Sequence, residues 1–132
     1  MLKYSAKRKI KVTFSILFYL ELIVVTVLSL IPVASVPEGI VFWDKAQHFI
    51  EFFVLTITGC FGYPRNINGI MIGLLIYGAS IEMAQKYLTL TRSGDILDLF
   101  ADGLGILVAG IAFFIVRNAV ETRRSRFRVV QN

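Results

Sequence analysis

The chain has 132 residues, of which 56% are apolar and 17% charged, with a mean hydropathy of +0.71 and a net charge of +5. An average soluble domain carries about 25% charged residues, and a chain this short has too little interior to hide so much apolar side chain from water. Composition therefore excludes an ordinary soluble domain and points to lipid. The positive charge does not indicate nucleic acid. Lys3, Lys7, Arg8, Lys9 and Lys11 precede the first apolar run, and Arg117, Arg123, Arg124, Arg126 and Arg128 follow the last. Basic ends that flank apolar spans are a topology signal, whereas nucleic-acid readers gather basic residues on a folded soluble face.

Four spans are predicted in chain order. The first runs from Val12 to Val33, after a basic tail over residues 1–11. It is longer than the roughly 7–15 residues of a signal peptide's apolar region and reads as an anchor that stays, with Val33-Ala34-Ser35 leaving cleavage as the alternative. A loop with Pro37 and Gly39 follows. The second span covers about Lys45–Tyr63 and ends at Pro64; the third covers about Ile67–Leu88; the fourth covers about Ile96–Val116. The connection Pro64-Arg65-Asn66 is short enough to make spans two and three an antiparallel hairpin. Residues 117–132 form a second basic tail. The expectation is an all-α integral membrane bundle of four transmembrane helices. Placing both termini in the cytoplasm puts 11 of the 14 basic residues there, leaving Lys45, Lys86 and Arg92 outside. Trp43, Tyr63 and Tyr87 fall at expected interfaces. Gly69-x-x-x-Gly73 and Ala101-x-x-x-Gly105-x-x-x-Ala109 are small-residue patterns that permit close helix approach. The single cysteine, Cys60, excludes an internal disulfide.

Ionisable residues cluster at the outer ends of three spans. Asp44, His48 and Glu51 are spaced i, i+4, i+7 and share one helical face. Gly78, Glu82 and Gln85 repeat that spacing, and Asp95, Asp98, Asp102, Gly105 and Ala109 follow a 3-4-3-4 pattern. At 1.5 Å per residue, His48, Glu51, Glu82, Gln85, Asp98 and Asp102 lie roughly 5–12 Å below the outer surface. A charge inside a span costs about 2.5–3.5 kcal/mol, so such residues face the bundle interior or a wet cavity. The expectation is an outward-open polar pocket, with Lys45, Lys86 and Arg92 above it. Asp95, after Gly94, is placed to cap span four, and Asp98 gains from the same helix dipole. Asp102 is too deep for capping to explain. Glu21 stands apart in span one and reads as a glutamate hydrogen-bonded to another span. Phe52, Phe53, Phe113 and Phe114 read as lipid-facing or packing residues.

Two segments carry a resemblance: Asp44-Lys45-x-x-His48-Phe49-x-Glu51-Phe52, and Glu82-x-x-Gln85 followed by Arg92-x-x-Asp95-x-x-Asp98-x-x-Ala101-Asp102-x-x-Gly105. In order, spacing and hydropathy they resemble the VanZ-like family of bacterial membrane proteins, over about residues 40–110. The pattern departs at Asp102, where Asn is the more usual residue. The resemblance implies a multi-pass protein of the bacterial cytoplasmic (inner) membrane and a link to the cell envelope and to resistance to the glycopeptide teicoplanin. It implies no reaction.

Three functions are then open. In the first, the pocket binds an envelope lipid, a lipid-linked cell-wall precursor or a glycopeptide. Lys45 and Arg92 would hold phosphate or carboxylate groups, while Asp44, His48, Glu51, Glu82, Gln85, Asp98 and Asp102 complete the binding set. In the second, the chain is an intramembrane enzyme, with His48 as general acid/base and Glu82 or Asp98 as partner. In the third, it is an accessory subunit or proton-coupled carrier. A divalent metal is a secondary expectation: His with carboxylates suits zinc or manganese, but the lack of a second His or a pocket Cys weakens zinc.

Overall fold

A computed structural model of the chain describes residues 2–31, 41–89 and 95–130. It is all-helical over these residues, in the order α1 (Leu2–Leu30), α2 (Val41–Gly62), α3 (Ile67–Leu88) and α4 (Ile96–Val130). Three segments are long and apolar enough to cross a membrane: Arg8–Leu30, Ile67–Leu88 and Ile96–Arg123. The helix α2 has 22 residues, about 33 Å of rise. Asp44, Lys45, Gln47, His48 and Glu51 make its first half polar.

The helices extend beyond the predicted spans. Both basic tails are largely helical: α1 begins at Leu2, and α4 continues from Val116 to Val130. No Pro or Gly interrupts residues 111–130, so nothing in the sequence breaks the helix where hydropathy falls. An Arg117–Glu121 pair at 3.1 Å, four residues apart, adds local support. The α2–α3 connection is the expected tight turn. Pro64 has no N–H with which to continue α2, and Asn66 donates its backbone N–H to the Tyr63 carbonyl at 2.9 Å.

The helices α2 and α3 occupy the middle of the bundle, each packing against both α1 and α4. The core comprises Phe18, Val25, Phe52, Leu55, Leu74 and Ile106. Around it the outer surface is apolar, with Ile23, Ile72, Ile76, Phe100 and Ile115 among many exposed large side chains. This is an apolar core inside an apolar exterior, the surface of a protein made for lipid. The aromatic pairs divide between both expected roles: Phe52 and Phe113 are buried, while Phe114 is exposed. Tyr87 is exposed and Tyr63 half-buried; the Trp43 side chain lies outside the described residues.

The two small-residue patterns part company. A Cβ at Gly105 would collide with the Phe49 carbonyl oxygen and stand 3.0 Å from the Phe53 nitrogen. Here α4 touches the α2 backbone, so Gly105 is required. Ala101 and Ala109, on the same face, are buried. A Cβ at Gly73 would meet nothing within 4 Å, and the atoms nearest to one at Gly69 belong to Asn66, the residue before its own helix. Among the described residues Gly73 therefore makes no close helix contact, and the nearest neighbour of Gly69 is within its own segment.

Candidate functional site

The charged residues gather where α2 begins, α3 ends and α4 begins. Local helix chemistry sets the rim. The Asp95 carboxylate accepts the Leu97 backbone N–H at 2.9 Å, and its carbonyl accepts the Asp98 N–H at 3.0 Å. It thus caps α4 as its position suggests. The Leu97 N–H, and after it Lys45, hold the Asp95 carboxyl below its ordinary value. The Asp95 backbone N–H is itself taken by Glu82 of α3, at 2.8 Å. One glutamate thereby ties the end of α3 to the start of α4.

Lys45 bridges α2 to α4. Its Nζ lies 2.9 Å from Asp95 Oδ2 and 2.9 Å from Asp98 Oδ1. The sequence suggested Lys45 as an anion holder; in the fold its ammonium sits between two carboxylates. One turn deeper, His48 Nδ1 lies 2.9 Å from Asp102 Oδ1, and both side chains are almost wholly buried, at 4% and 0% exposure. Glu82, Gln85 and Asp98 are buried as well. His48, Glu82, Asp98 and Asp102 thus form a packed layer between three helices, and the predicted open pocket is a buried cluster among the described residues.

Two atoms of this layer stand out. Glu82 Oε1 and Asp102 Oδ2 are buried with no hydrogen-bond partner. Orphaned buried acceptors are costly, and each such group calls for an explanation. Gly78 faces one of them: a Cβ there would stand 2.7 Å from Asp102 Oδ2 and 3.2 Å from the Phe52 ring. The His48, Glu82 and Asp102 donor atoms lie within 4.8 Å of one another, and Asp44, His48 and Asp98 form a second such set.

The other predicted site residues are placed as follows. Glu51 accepts a hydrogen bond from Gln47 of its own helix at 2.7 Å. Gln85 donates to the Ser29 carbonyl of α1 at 3.1 Å, so it ties helices together rather than facing the acids. Lys86 is exposed, its Nζ 5.7 Å from the Tyr87 ring centroid. Arg92 lies outside the described residues. Glu21 accepts from Thr58 of α2 at 2.6 Å, the interhelical role expected of it.

Sequence reasoning gave α1 no part near this layer, yet α1 braces it. The Tyr77 hydroxyl donates to the Leu22 carbonyl at 2.9 Å and lies 2.8 Å from the Thr26 hydroxyl. The Tyr77 ring packs on Phe52, centroids 5.9 Å apart. The available signal was a tyrosine in mid-span, whose hydroxyl must find a partner when removed from water.

Fold and site together define a class: an all-helical chain with helices fit to cross a membrane and a buried His–carboxylate layer near one end of the bundle. Neither family models nor curated proteins nor solved structures give any match to the chain.

Proposed function

We propose that the chain is a VanZ-like, multi-pass protein of a bacterial cytoplasmic membrane. It has four spans, cytoplasmic termini and the charged end facing outward. The family rests on the two motif segments; the orientation rests on the 11 basic residues of 14 that it leaves inside. Taking α2 as a span rests on its 22-residue length and its central position between α1 and α4. At the outward end the protein binds the polar headgroup of an envelope lipid or lipid-linked cell-wall precursor, with glycopeptide tolerance as the cellular consequence.

One observation carries this reading. Lys45, His48, Glu82, Asp98 and Asp102 converge from three helices within two adjacent turns at one end of the bundle. Each charge within a span costs about 2.5–3.5 kcal/mol, and a bundle held only by apolar packing has no need of the layer. The test is native mass spectrometry of the protein in nanodiscs, with phosphatidylglycerol and a lipid-linked disaccharide as probes. The protein should retain one probe, and Arg92→Ala should lose it while remaining folded. Retention of neither probe by folded wild-type protein would refute the headgroup reading. Full retention by Arg92→Ala would remove only the role of Arg92.

The His48–Asp102 pair favours a second reading, an enzyme acting on the same headgroup. The carboxylate fixes the orientation of the imidazole, whose other nitrogen is then available for proton transfer. In this case His48→Gln should abolish turnover of the lipid-linked probe while leaving its retention intact. Loss of both together would favour simple binding.

A further inference from the structure

We propose that His48, Glu82 and Asp102 form a binding site for one divalent cation of the zinc or manganese type. The site stands independently of the headgroup reading.

Three observations converge. First, the donor atoms of these residues lie within 4.8 Å of one another, one residue from each of α2, α3 and α4. Metal–nitrogen and metal–oxygen distances are about 2.0–2.2 Å for zinc, so modest side-chain rotation closes the set around an ion. Second, Glu82 Oε1 and Asp102 Oδ2 are buried and without partners, although Glu82 and Asp102 each use their other oxygen. A water molecule could donate to both, but it would leave the negative charge uncompensated. A cation satisfies the lone pairs and the charge together. Third, the residue opposite Asp102 Oδ2 is Gly78, where a Cβ would intrude to 2.7 Å. The missing side chain leaves room beside the free oxygen.

Charge balance points the same way. Among the described residues, the four acids Asp95, Glu82, Asp98 and Asp102 have one ammonium, Lys45, and one imidazole, His48, beside them. Lys45 lies against Asp95 and Asp98, which leaves Glu82 and Asp102 to share His48. This also separates the two donor sets. The set containing Asp44 and Asp98 already has Lys45 on Asp98, so the set containing Glu82 and Asp102 is where a cation is needed. One imidazole and two carboxylates suit zinc or manganese. Three protein ligands leave a further coordination position, the arrangement of catalytic rather than structural zinc sites. A cation there also reverses the local field and would give a phosphate oxygen an anchor in an acid-rich layer.

The test uses the full chain in detergent with its affinity tag removed, loaded with Zn²⁺ or Mn²⁺ alone. After dialysis, elemental analysis should find one ion per chain. Co²⁺ titration should give a visible absorption spectrum that Zn²⁺ erases. Glu82→Gln keeps an oxygen for the Asp95 N–H but removes the charge, and should weaken the metal at least tenfold. Asp102→Asn should do the same, and Gly78→Ala should weaken it by obstruction. Glu121→Gln, at the far end of α4, should bind as wild type. Folded wild-type protein that holds no ion above the level of Asp102→Asn would overturn the site. So would equal binding by folded Glu82→Gln and Asp102→Asn. If those variants fail to fold, the wild-type spectrum decides: absence of a nitrogen-and-oxygen-ligated Co²⁺ signal sinks the proposal.

Discussion

The two ends of α2 hold the bundle by different physics. At its start, Lys45 forms an ion pair and His48 a hydrogen bond with carboxylates of α4, each at 2.9 Å. At its finish α2 carries no charged residue of its own: Thr58 donates to Glu21 of α1 at 2.6 Å, and the rest is close approach. A Cβ at Gly62 would come within 3.1 Å of the Ser15 backbone nitrogen of α1, and one at Gly59 within 2.7 Å of Ile70. Apart from that bond the glycine end relies on shape, which serves in lipid, where dispersion and close packing drive helix association. The charged end adds desolvation cost that shape alone would have avoided. Under the proposed function, binding at the charged layer offsets that cost.

Breaking the charged end should produce the largest effect on stability. His48→Ala leaves Asp102, which has no exposed surface, without its imidazole. Removing one partner of a buried pair typically costs about 3–5 kcal/mol. Thermal or denaturant unfolding in mild detergent should show a loss of that size. Unchanged stability would mean that Asp102 is neutral in the folded protein, and the contrast between the two ends would collapse.

A steric probe comes next. Gly105→Val places a branched side chain against the Phe49 carbonyl, where even a Cβ does not fit. Overpacking costs typically about 1–3 kcal/mol, and separation of α2 from α4 should also loosen the His48–Asp102 contact. Gly73→Ala is its counterpart: with nothing within 4 Å of the new Cβ, it should be neutral or stabilising by up to about 1 kcal/mol through reduced backbone freedom. If Gly73→Ala instead lowers the oligomeric state in cross-linking, that face packs on another copy of the chain.

The four helices were legible from hydropathy and punctuation. Pro64 marked the α2–α3 turn, and the 3-4-3-4 spacing from Asp95 to Ala109 put acids and small residues on one face, as the fold places them. The helical tails were not legible, because hydropathy measures lipid preference while helix continuation needs only the absence of a breaker. Nor was the state of the site. Spacing puts His48, Glu82 and Asp102 at one level, but level does not distinguish an open pocket from a packed layer. That distinction depends on how closely α2 and α4 approach, and Gly105 sets that distance. The Gly69–Gly73 pattern shows the opposite limit: a motif for close approach says nothing about which neighbour, if any, uses it.

The smallest effect belongs to Asp95, and it separates the rim from the buried layer. Asp95 is 39% exposed in its side chain, so water screens its pair with Lys45 and its contribution should be about 1 kcal/mol or less. The Leu97 N–H and the Lys45 ammonium hold its folded-state pKa below the ordinary carboxyl value of 3.8. A carboxyl depressed by folding stabilises the native state above its unfolded value, and that contribution disappears as pH falls through the folded value. Asp95→Asn should therefore be slightly less stable than wild type at neutral pH, and the two should converge as pH drops below about 4. Salt should narrow the neutral-pH gap, since an exposed pair is screened. For His48→Ala the gap should be insensitive to salt, because its partner is out of reach of solvent ions. A gap at Asp95 as large and as salt-independent as that at His48 would mean that Lys45 and its two acids belong to the buried layer, and that the charged end has no solvated rim at all.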